Sequence, residues 1–228
     1  MTTSLVTLRL ADAGTLSGQL YTTGSVLSAE SRLIILLHGW GADGADLLPL
    51  APELVSGPEG DAVFVPDAPY VCSANPFGRQ WFELSDVAAG LGRNAAACSE
   101  SAGLIAALLD GLSAETGVPS QQMVLGGFSQ GGMVSLTGGL GYARPLRGLF
   151  CLSGAWLTPD QTVHQRADLP VFLAHGAADP VVPVQCMTQA EAALTRAGFS
   201  PQTLQRPQMA HGIDPETVQA LAAFIAGL

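Results

Sequence analysis

The chain reads as an α/β protein, with a mostly parallel central sheet, helices on both faces and an antiparallel hairpin at its N-terminal end. Three observations predict this. Short apolar runs rich in β-branched residues alternate with longer helical patterns along most of the 228 residues, the rhythm of strand–helix crossovers. Several runs are apolar without alternation, as strands covered on both faces must be. The length suits a single domain of this class, residues 1–228.

Each element follows in order. Residues 4–10 and 16–22 read as two strands joined by a Gly-containing turn, fitting an antiparallel hairpin on the sheet edge. Residues 33–37 are a strand buried on both faces, and 62–66 the next, followed by a Pro- and Gly-rich loop through Gly78. Residues 94–112 spell a helix with Ala97, Ile105, Leu108, Leu109 and Leu112 on its apolar face. Gly111 and Gly117-Val118-Pro119 mark its end. Strands follow at 123–128, 146–152 and 169–174, then a helix over 184–196 stopped by Gly198. Residues 201–206 make a short strand and 215–225 a helix that Pro215 opens. The run of residues 138–141, glycine at three of its four positions, should shorten the helix that precedes it. The sequence contains no repeat, no linker and no insertion long enough for a separate cap domain.

Composition narrows the function. Hydrophobic residues at 48% and charged residues at 12% suit a large core and exclude disorder. Net charge is −10, with no lysine and nine arginines scattered singly, which speaks against nucleic acid and against anionic membrane surfaces. The four cysteines lack C-x-x-C spacing, so zinc and dithiol chemistry are not expected; Cys98 and Cys151 read as buried free thiols. There is no H-E-x-x-H, no acidic calcium loop and, without lysine, no phosphate-binding G-x-x-x-x-G-K-[ST], so no metal or cofactor is expected. The N-terminus shows no basic region followed by an apolar stretch, and no apolar run approaches the roughly 18 residues of a membrane span. The expectation is a cytoplasmic protein.

The chemistry gathers at predicted strand ends. Gly-Phe-Ser-Gln-Gly (127–131) follows a strand and precedes a helix. In that context G-x-S-x-G holds a serine, Ser129, on a sharp elbow with its hydroxyl exposed. Asp179 lies in the loop after the strand at 169–174, bracketed by Gly176 and Pro180. His211 lies between the last strand and the last helix, completing the order Ser…Asp…His that this architecture uses. His38 and His175 also follow strands as His-Gly and compete on position alone; they read as loop-ordering residues, and His164 as solvated. A glycine-rich turn after the strand at 33–37 offers bare backbone amides, with the Trp40 N–H and the Gln130 N–H as oxyanion donors. Asp43 or Asp46 would cap the short helix after it.

With these pieces in place, the chain resembles the phospholipase/carboxylesterase family of α/β-hydrolases, which includes acyl-protein thioesterases and small carboxylesterases. The likeness rests on Leu-Leu-His-Gly-Trp-Gly-Ala-Asp (36–43), Pro-Asp-Ala-Pro (66–69), Gly-Arg-Gln-Trp-Phe-Glu (78–83), Gly-Phe-Ser-Gln-Gly-Gly (127–132), His-Gly-Ala-Ala-Asp-Pro-Val-Val-Pro (175–183) and His-Gly-Ile (211–213). The resemblance implies an α/β-hydrolase fold, a Ser129–Asp179–His211 triad, oxyanion donors at Trp40 and Gln130, and an acyl groove lined by Trp81 and Phe82. Trp40 departs from the smaller aliphatic usual there and narrows the expected acyl range. Apolar edges at Trp40, Trp81, Phe82 and Val182 would contact substrate and leave room for a homodimer contact. The expected activity is hydrolysis of short- to medium-chain esters or thioesters, the small-molecule substrate being the expected partner. The alternatives are a lysophospholipase or acyl-protein thioesterase, a peptidase, or a non-catalytic ligand-binding relative.

Overall fold

The computed structural model describes residues 2–10, 14–22, 26–55, 60–84 and 90–228. These include the strands β1 (Thr2–Leu10), β2 (Gly14–Thr22), β3 (Arg32–Leu37), β4 (Asp61–Pro66), β7 (Met123–Phe128), β8 (Gly148–Leu152), β9 (Val171–Gly176) and β10 (Gln202–Arg206). They form an eight-stranded sheet in the order β1-β2-β4-β3-β7-β8-β9-β10. The two antiparallel pairings in this sheet are β1–β2 and β2–β4 and the rest are parallel, so the N-terminal hairpin is the sheet edge that the sequence predicts. A small separate hairpin, β5 (Tyr70–Val71) with β6 (Arg79–Gln80), lies in what the sequence presents as a plain loop. Two-residue strands are too short to carry a periodic signal.

Burial on both sheet faces follows from the unbroken apolar strands. Leu33, Ile35 and Leu37 of β3 join one core cluster, and Ile34 and Leu36 the other. The first cluster is roofed by α3 (Ala95–Thr116), α4 (Gln130–Gly141) and α5 (Gln185–Arg196); the second by α1 (Gly44–Leu47), α2 (Ala51–Leu54) and α6 (Pro215–Ala226). The fold is therefore the three-layer α/β arrangement that the alternating pattern predicts.

Three expectations need correction. The glycines at 138, 139 and 141 do not shorten α4, which runs to Gly141. A Cβ at Gly138 would stand 2.9 Å from Ile105 Cβ of α3, and one at Gly139 would stand 2.4 Å from Leu149 Cδ2 of β8. These glycines let α4 lie close between helix and sheet, and packing outweighs their poor helix propensity. Similarly, Gly111 lies inside α3, which continues to a left-handed C-cap at Gly117, φ 72°. Finally, an 18-residue window within residues 91–116 does reach the length and mean hydropathy (1.3) of a membrane-crossing segment. Ile105, Leu108, Leu109 and Leu112 of that stretch are completely buried in the core.

Candidate active site

The G-x-S-x-G segment builds its elbow from close contacts that exclude side chains. A Cβ on Gly127 would meet the Leu37 carbonyl oxygen at 2.5 Å, and one on Gly131 would meet it at 2.2 Å. Only glycine lets the end of β7, the start of α4 and the end of β3 converge at that distance. Ser129 itself is bent to φ 53°, ψ −117°, a conformation costly for a residue with a Cβ. Its N–H donates to the Leu152 carbonyl at 2.8 Å, fixing the elbow to β8.

Asp179 and His211 arrive from loops beyond β9 and β10. His211 Nε2 lies 3.0 Å from Ser129 Oγ, and its Nδ1 lies 2.7 Å from Asp179 Oδ2. The other carboxylate oxygen accepts the Val181 and Val182 amides at 2.8 and 2.9 Å. His175 Nε2 stands 3.3 Å from Asp179 Oδ2 and 2.8 Å from the Val182 carbonyl. Asp179 is thus buried yet fully engaged, as a buried carboxylate must be. Phe128 packs its ring 4.9 Å from the His211 ring. The structure brings together the three side chains singled out from sequence, in an arrangement suited to nucleophilic catalysis by a hydroxyl.

The loop after β3 runs past the serine. A Cβ on Gly39 would stand 3.5 Å from Ser129 Cβ, so the loop borders the Ser129 side chain at Gly39. Gln130 opens α4, where N–H groups lack a partner one turn back. His38 is buried, and burial holds its pKa below the ordinary value. Its Nε2 accepts the Ala68 N–H at 3.0 Å, so the neutral ring carries its proton on Nδ1, 2.7 Å from the Gly39 carbonyl. Asp43, not Asp46, caps α1 by accepting the Ala45 N–H at 2.9 Å. His164 is exposed, in keeping with the sequence reading.

Trp81, Phe82 and Val182 do not form an open wall. All three are buried, Trp81 completely. The Trp81 indole N–H donates to the His38 carbonyl at 2.9 Å, its backbone N–H to Gln130 Oε1 at 2.9 Å, and its carbonyl accepts Ser101 Oγ at 2.6 Å. Gln130 Nε2 donates onward to the Phe82 carbonyl at 2.8 Å. Trp81 therefore braces the loop after β3 against the elbow, and Val182 braces Asp179 through its backbone. Trp40 remains partly exposed (37%), its indole N–H held by Gln80 Oε1 at 2.9 Å. Sequence reasoning missed this bracing, because a buried indole and a groove-lining indole look alike in a motif.

At Pro180 and Val181, the residues that follow Asp179, lies a cavity of about 590 Å3, bounded also by Leu91, Ala155, Trp156 and Cys186. That volume is within the usual range for a small-molecule pocket, and these walls are apolar. All four cysteines are free. Burial pushes the Cys98 thiol to about 11 and the Cys151 thiol to about 12, so neither supplies a thiolate nucleophile. Among the described residues no cluster of His, Cys, Asp or Glu could hold a metal ion.

Comparison with known proteins places the chain in one family. The phospholipase/carboxylesterase model covers residues 24–228. The chain is 33% identical over 165 residues to an acyl-protein thioesterase 1 of Yarrowia lipolytica, spanning 68% of this chain and 72% of the relative. It is 28% identical over 211 residues to a probable carboxylesterase of Oryza sativa subsp. japonica, spanning 87% and 78% respectively. The crystal structure of esterase PE8 superposes with a TM-score of 0.86 at 31% identity, covering 93% of this chain and 98% of that one. The chain belongs to the phospholipase/carboxylesterase family and has the α/β-hydrolase fold.

Proposed function

We propose that this protein is a serine carboxylesterase that hydrolyses short- to medium-chain carboxylic esters or thioesters through an acyl-Ser129 intermediate. Family membership carries the ester chemistry. The contacts of His211, 3.0 Å to Ser129 and 2.7 Å to Asp179, carry the assignment of residues. In the proposed cycle His211 Nε2 takes the Ser129 proton as Oγ attacks the acyl carbonyl. Asp179 holds the imidazole with its proton on Nδ1 and stabilises the imidazolium. The Trp40 and Gln130 amides receive the oxyanion. His211 then protonates the leaving alcohol or thiol, and water, activated by the same imidazole, releases the acid.

The cavity at Pro180 and Val181 is the proposed seat of the acyl chain, replacing the groove wall expected at Trp81 and Phe82. Val181, 52% exposed, takes the contact role expected of Val182. We further propose one domain over residues 1–228 and a cytoplasmic location. Four free thiols favour a reducing compartment, and cell fractionation tests it. Whether a homodimer forms is read by light scattering. A lysophospholipase or thioesterase reading differs only in leaving group. A kcat/KM series over acyl length, on matched esters and thioesters, separates these. A non-catalytic binder would leave Ser129 unlabelled by a fluorophosphonate probe; labelling at Ser129 is the expected result.

A further inference from the structure

We infer that Ser153 is a positioning residue for His211, acting through the carbonyl of Gly212. This inference rests on the proposed roles of Ser129 and His211. Ser153 follows the last residue of β8, and its side chain is completely buried. Among the described residues it shares a positive φ with just one other non-glycine, and that residue is Ser129 (49° and 53°). Glycine would adopt such a turn without a Cβ penalty, yet here a hydroxyl is kept at a strained position. Its N–H stays paired to the Ala174 carbonyl of β9 at 2.8 Å, so the strain is not relieved by leaving the sheet. The next residue cannot move outward either. A Cβ on Gly154 would meet the Ser129 carbonyl oxygen at 2.9 Å and Cys151 Sγ at 2.6 Å.

The strained turn aims Ser153 Oγ at the Gly212 carbonyl, 3.1 Å away. Among the described residues this is the one hydrogen bond made to the backbone of residues 210–213. On either side the chain is tied down, at Met209 by the Ala178 amide and at Asp214 by Arg206. Between those ties His211 must meet Ser129 and Asp179 at once. Ser153 supplies the backbone restraint there, and because it also adjoins the elbow through Leu152 and Gly154, it links nucleophile and base in one rigid turn. A residue held this way acts on orientation, so its loss should lower turnover more than substrate affinity.

The test uses Ser153→Ala, which removes the hydroxyl, and Ser153→Gly, which removes hydroxyl and strain together. Glycine accepts the observed φ, so folding of that variant is not at stake, and melting temperature verifies it. On p-nitrophenyl butyrate kcat should fall about ten- to a hundredfold in both variants, with KM within about twofold of the parent. An unchanged kcat in both variants, or a change confined to KM, would overturn the inference. So would a Ser153→Gly enzyme with parental kcat beside an impaired Ser153→Ala, because strain and not the hydroxyl would then be at work. Ser129→Ala, run in parallel, keeps the two readings apart. If it stays active, the nucleophile assignment fails; if it is inactive while both Ser153 variants match the parent, only the inference about Ser153 fails.

Discussion

The loop at residues 38–44 and the loop at residues 207–214 face each other across Ser129, and they are secured in opposite ways. The first is sewn to the segment at 72–82 by side chains and backbone together. Trp81 donates to His38, Trp40 to Gln80, Asn75 to the Gly41 carbonyl, and Gly41 and Ala42 exchange backbone bonds with Arg79. The second carries His211 on a stretch whose backbone has Ser153 as its anchor. The difference suits the roles proposed for the two loops. Donors aimed at a developing charge stabilise it most when fixed before the reaction begins. A base that takes a proton from a nucleophile and returns it to a leaving group, the role proposed for His211, needs one good orientation and some reach.

The largest expected effect lies where the two loops meet. Ser129→Ala should lower kcat by about 10⁶-fold by analogy with other triad hydrolases, read by steady-state turnover of p-nitrophenyl butyrate. An enzyme that kept most of its turnover would remove the reason for comparing the loops at all. Next is the packed side. Gly131→Ala would drive a Cβ to 2.2 Å from the Leu37 carbonyl oxygen, with no flexible atom to yield. A loss of about 3 kcal/mol or more in urea unfolding is expected; a loss below about 1 kcal/mol would mean the elbow is more plastic than its contacts suggest.

Trp81→Phe tests whether the bracing matters for chemistry. It removes the indole donor to His38 while keeping the ring, and should cost about 1–3 kcal/mol of stability for the unpaired carbonyl. kcat should fall with little change in KM, because the proposed oxyanion donors lose definition; a pure KM effect would place Trp81 against substrate instead. The pH response of His38 sharpens the same point. Its folded pKa lies below the ordinary 6.5 because it is buried, so the unfolded chain binds the proton more readily. Stability contributed by neutral His38 is present above that value and is lost as pH falls below it. Urea unfolding of the parent and of His38→Gln, compared at pH 7 and pH 5, should differ in slope in that direction. The smallest effect belongs to Asp43→Ala, which removes the α1 cap. About 1 kcal/mol of stability should go with kcat unchanged, since the loop is held elsewhere.

How much of this was legible beforehand depends on the kind of signal. The strands at 33–37, 62–66 and 123–128 were readable because strands buried on both faces must be apolar throughout. The convergence of Ser129, Asp179 and His211 is readable because each lies beyond a strand end in a fixed chain order. The β5–β6 hairpin was not, since its residues are polar or exposed and its strands span two residues each. The glycines of α4 misled for a physical reason, as local propensity argues for a stop where tertiary packing demands small residues. The motif at 78–83 suggests a groove wall at Trp81, whereas the structure buries its ring completely. Ser153 gave no signal, because a positive φ in a serine leaves no trace in composition or periodicity.

The separation along the chain between the members of the proposed triad has a consequence for how the molecule comes to life. His211 lies 82 residues from Ser129 and 32 from Asp179 along the chain, and between the first two the sheet must add β8, β9 and β10 in register. Such non-local pairings form late, after loop-closure entropy has been overcome. Hydrolysis is therefore a clock for the end of folding. In a refolding experiment helical circular dichroism should recover first, and esterase activity should return with the slowest phase.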